Sequence, residues 1–138
     1  MGMIIGATPE EQKMLDEKAS AYKQGEISTA DRLMKQPEEI AKTSASIVKG
    51  GATTEGCSKL GTQIAGAAAD LSFLNEAAEW LRNSYSIRAP QYDQRKQGIE
   101  VVGSILTDIA KPAVQACESS FPDTKLPTLG TKMPSPGS

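Results

Sequence analysis

From Cys57 to Tyr85, apolar residues recur at alternating spacings of three and four: Cys57, Leu60, Ile64, Ala67, Leu71, Leu74, Ala78, Leu81 and Tyr85. Spacing that averages 3.5 residues keeps one stripe on one face of an α-helix. Sustained for four heptads, such a stripe has to be buried against another helix. A second stripe, Ile99, Val102, Leu106, Ile109, Ala113 and Ala116, follows a break at Ser86-Ile87-Arg88-Ala89-Pro90. The break is short and Pro90 fits a first helical turn, so the pair predicts an antiparallel hairpin over about 54–86 and 89–119. Pro112 falls inside the second helix and crowds the carbonyl of Asp108, which predicts a kink or a restart there.

Proline and glycine punctuate the chain before the hairpin. Thr8-Pro9-Glu10-Glu11 reads as an N-cap, a proline at the first helical position and an acid that completes a capping box. That helix is expected to run to about Gly25, with Leu15, Ala19 and Tyr22 on one face. Ser28 and Asp31 offer a second start, carrying Leu33 and Met34. Pro37-Glu38-Glu39 opens a further helix with Ile40, Ser44, Ile47 and Val48 inward, stopped by Gly50-Gly51. The fold class expected is therefore all-α, a helical bundle built on a long antiparallel hairpin with shorter N-terminal helices. One helical domain is expected over 1–119. The remainder, 120–138, holds four of the eight prolines and reads as a flexible or surface-docked tail.

Charge and hydropathy narrow the function classes. A net charge of −2 gives no general attraction to nucleic acid or to an anionic membrane surface. No run approaches the roughly 20 apolar residues that span a bilayer. The opening MGMIIGA lacks the basic start of a secretory signal, and Gly6 stands where the myristoylation pattern wants Ser or Thr.

The two cysteines gain meaning from the hairpin. Its turn centres near residues 87–88, so Cys57 and Cys117 each lie about thirty residues from it. At a rise of ~1.5 Å per residue both fall at one height, ~45 Å from the tip. A Cys57–Cys117 disulfide closing the open end is the leading reading, with the Pro112 kink turning Cys117 inward from its place one step beyond Ala116. Two buried free thiols in a reducing compartment are the alternative. A helix N-terminus and Lys59 leave a redox role open for Cys57. Nucleophilic catalysis at this thiol lacks its usual base, because the chain contains no histidine. Two sulfurs without histidine also make a poor zinc site, and neither metal nor cofactor is expected.

Other constellations point nowhere sharper. Ser46-Ile47-Val48-Lys49 matches S-x-x-K but lacks the S-D-N and K-T-G companions of serine acyltransferases. Glu76 and Glu79 have the spacing of helical di-metal carboxylates without the Glu-x-x-His motifs those sites require. Gly66-Ala67-Ala68-Ala69 has no strand before it and no G-K-[ST] after it, so it reads as a thin section where a neighbour packs closely. An apolar ligand groove beside it would have no polar anchor.

One cluster stands apart. Trp80, Arg82, Tyr85, Arg88, Tyr92 and Arg95 place three of the four arginines, the sole tryptophan and two of three tyrosines at the hairpin tip, with Lys96 beside them. These residue types dominate binding hot spots. In one reading they contact a partner protein; in the other Tyr85 seals the tip and the arginines are merely solvated. The function expected is a non-enzymatic protein-binding module of an oxidising compartment, periplasmic or secreted. An inhibitor, a toxin-immunity protein or an adaptor would fit, with a partner that offers an acidic cleft. The alternative is a cytosolic helical assembly or chaperone-like subunit that self-associates, and a homodimer is compatible with either.

Overall fold

Thr8 opens the first helix as its sequence requires. Its hydroxyl accepts from the Glu11 amide at 3.1 Å while its own amide donates to the Glu11 carboxylate at 2.9 Å. In this computed structural model, which describes residues 8–85 and 89–129, four helices follow: α1 (Pro9–Leu33), α2 (Gln36–Gly50), α3 (Thr54–Ser84) and α4 (Ala89–Ser120). The fold is all-α, and no strand occurs among the described residues.

α3 and α4 form the antiparallel hairpin that the two stripes predict, within about two residues at each end. α1 lies antiparallel to α3 over the tip half: Asp16 meets Tyr85, Tyr22 meets Glu76 and Arg32 meets Asp70. After the turn at Met34-Lys35 the chain crosses over, and α2 packs against both hairpin helices at the other end. Gly51, at φ 94°, ends α2 in a conformation that only glycine adopts freely. The main core gathers Leu33, Ile40, Ile47, Leu60, Ile64, Leu71 and Leu106, all buried. Each such side chain contributes about 1.5–3 kcal/mol on burial. A smaller cluster of Ala19, Leu81 and Tyr85 lies nearer the tip, with Leu15 and Trp80 against it.

Cys57 and Cys117 are joined in a disulfide, their Cα atoms 5.8 Å apart. The helix does not restart at Pro112. α4 continues through Pro112 as a single helix, with Pro112 and Asp108 both exposed, where solvent can take up the freed carbonyl. Its buried stripe is Ile99, Gly103, Leu106, Ala110, Ala113 and Cys117, whereas Val102, Ile109 and Ala116 are half-buried. Residues 121–129 dock back on the hairpin, and Leu129, 6% exposed, joins the main core beside Gly103 and Ala110.

Two further expectations need correction. α1 does not stop near Gly25, and Ser28 is no cap: its hydroxyl bonds back to the Gln24 carbonyl at 3.0 Å inside the helix. Gly25 serves packing instead, since a Cβ there would sit 2.6 Å from Cζ of Phe73. Val48 faces solvent at 56% exposure, because α2 buries only the narrow stripe of Ile40, Thr43, Ser44 and Ile47.

Candidate functional site

The tip cluster is built by α3 and α4 but held by α1. Trp80 stacks on Tyr22 of α1, ring centroids 5.2 Å apart, and on Tyr85 at 6.2 Å; Phe73 extends the ladder 6.0 Å from Tyr22. Lys18 lies over both Tyr22 and Trp80. Three tyrosines donate to three carboxylates: Tyr85 to Asp16 at 2.5 Å, Tyr22 to Glu76 at 3.0 Å and Tyr92 to Glu79 at 2.5 Å. The hydrogen bond from Tyr85, then that from Gln12, holds the Asp16 carboxyl below its ordinary range. Tyr92 and then Lys96 do the same for Glu79. The phenols move the opposite way. Tyr22, Tyr85 and Tyr92 are each raised, chiefly because the neutral O–H donates to a carboxylate that ionisation would repel.

The cations around these rings also have partners. Arg82 lies 4.7 Å from the Tyr92 centroid. Lys96 bonds Glu79 at 3.1 Å and reaches the side-chain oxygen of Asn75. Arg95 forms a two-pronged pair with Glu26 of α1, Nε at 2.9 Å and Nη2 at 3.3 Å. So Trp80, Arg82, Tyr85, Tyr92 and Arg95 are brought together, and each engages groups of this same chain. Arg88 lies outside the described residues. Sequence reasoning missed the carboxylates, and composition could not reveal them: Asp16 and Glu26 come from 69 residues away in the chain.

A wedge that no residue pattern signals opens between α1 and α4. No Cα of α1 comes within 8 Å of one in α4, although both flank α3. Between them lies an open groove of about 630 Å³, floored by Leu71 and Leu74 and walled by Leu33, Met34, Val102 and Ile105. Met34 is 79% exposed and Ile105 46%. Glu26 and Arg95 also line it, so one residue of the tip cluster borders an apolar groove with a polar anchor. Farther along α1, Arg32 pairs with the buried Asp70 at 2.8 Å, which fixes the last turn of α1 on α3. No group of three or more His, Cys, Asp or Glu suited to a metal ion occurs among the described residues. Nor is any of their helices long and apolar enough to cross a membrane. No protein-family model, curated protein or solved structure matches this chain.

Proposed function

We propose that this chain is a non-enzymatic protein-binding module whose contact surface is the wedge between α1 and α4, continued onto the tip through Arg95. The observation that carries this reading is the apolar groove itself, with Met34 and Ile105 exposed at its edges. Exposed apolar surface next to charged residues is characteristic of interaction sites. Arg95, already paired with Glu26, borders it, and Arg82 adds a positive charge at the tip beside Tyr92, where a partner with an acidic cleft would associate faster at low salt. The disulfide supports an oxidising compartment, periplasmic or secreted, and an inhibitor, immunity protein or adaptor belongs there.

A second reading is self-association of a cytosolic helical subunit. It draws on Val101 and Ile105, both about half exposed and one turn apart on α4. A photo-crosslinking side chain in place of Met34, and separately in place of Arg82, tests both in the native host. A discrete heterologous adduct from the Met34 position supports the wedge. An adduct of twice the chain mass supports self-association, and an adduct from the Arg82 position alone moves the site to the tip.

A further inference from the structure

On the opposite flank of α4 from the wedge, the segment Lys125-Leu126-Pro127-Thr128-Leu129 lies in a second groove, between α3 and α4. It runs without secondary structure, and among the described residues the hydrogen bond tying it to the helices is that of the Leu126 amide to Glu118 at 3.2 Å. Its hold is otherwise apolar. Leu129 enters the core, while Leu126 and Pro127 lie over Gly61, where a Cβ would stand 3.3 Å from Cδ2 of Leu126. The missing side chain at Gly61 lets Leu126 sit this close; a Cβ there would make it give by a few tenths of an ångström, and a branched side chain by more. The segment does not fill its groove: about 470 Å³ stays open beside Pro127, Thr128 and Leu129, bordered by Ile64, Gly103, Ser104 and Thr107.

We propose that this groove is a binding site for an extended Leu-Pro-x-Leu peptide of another protein, closed in cis by the chain's own copy of that sequence. The tail shows what the groove accepts: two leucines three residues apart, a proline that has no backbone N–H in need of an acceptor, and an extended backbone. A tethered segment competes at an effective concentration on the millimolar scale. A partner displaces it by adding apolar contacts in the open volume that Thr128 and Leu129 leave. Because the strap is held by side-chain burial and one backbone donor, its release leaves the helical hydrogen bonds intact.

The test uses the full chain carrying Leu126→Asp and Leu129→Asp, which frees the groove, and a fluorescent peptide PDTKLPTLG with the sequence of 122–130. Anisotropy titration should show saturable binding to the freed variant, about tenfold or more tighter than to the wild type, where the strap competes. Adding Gly61→Val should abolish that binding, since the new side chain takes the space of Leu126, while far-UV circular dichroism confirms that the helices persist. If the two aspartates disturb the fold, Leu129→Ala loosens the strap more gently, and the same order of affinities is expected. Equal affinity for freed and wild-type protein, no saturable binding to either loosened form, or binding indifferent to Gly61→Val overturns the proposal.

Discussion

The two ends of the hairpin are held by different physics. At the open end, a covalent bond, α2 and Leu129 of the tail surround a continuous aliphatic core. At the tip, a small cluster of Ala19, Leu81 and Tyr85 is ringed by stacked aromatics, tyrosine–carboxylate bonds and cations over rings. Apolar burial tolerates changes of pH and salt, whereas the tip's contacts depend on protonation and on precise donor placement. One end should therefore set the stability of the molecule, and the other should set the attachment of α1.

The sharpest way to break this contrast is at the open end. Removing the bond with Cys57→Ala and Cys117→Ala opens a loop of sequence separation 60. The chain-entropy relation puts the loss near 4 kcal/mol, read from urea unfolding of both forms. Leu106→Ala, at a side chain with no exposure in the middle of α4, should cost about 3 kcal/mol in the same assay. Tyr85→Phe should cost less than either. It removes the hydroxyl bonded to Asp16 while leaving the ring stack in place, so amide exchange should quicken in the first half of α1 and not in α2. Comparable exchange in both helices would show that the two ends are not separable.

The smallest effect is on pH dependence, and its sign differs at the two extremes. Asp16 and Glu79 are depressed below their ordinary values of 3.8 and 4.5. Their contribution is present above those values and is lost as pH falls through the lower, folded ones. The tyrosines are raised above 10.0, so their contribution is complete below that pH and disappears as pH climbs through the raised values. Near-ultraviolet circular dichroism of Trp80, which stacks within this network, should change at both extremes before the helical signal does. A Trp80 signal that changes only with global unfolding would contradict the separation of the two ends.

The contrast also explains what was legible in the chain. Heptad spacing and equal distances from a turn are local patterns, and they located the hairpin and its disulfide. In α1, Gly25 looks like a stop. Its real purpose depends on Phe73, which lies on a different helix. The docking of the proline-bearing strap beside α4 is equally illegible, because an irregular segment carries no period from which it could be read. The tip's composition was visible, but its use was not. A tyrosine that seeks a partner protein and one that bonds Asp16 look the same until α1 is folded against α3. The wedge had no signal at all, because it arises from the separation of two helices and from no residue pattern.

The position of the disulfide has a mechanical consequence. Pulled from α1 on one side and from the tail on the other, the chain transmits tension across Cys57–Cys117, so the segment between those residues never bears load. At ~3.5 Å per extended residue, about 200 Å of contour is withheld from stretching. The tail and the N-terminal helices peel away first, the hairpin keeps its length, and reduction of a single bond releases the hidden extension in one step.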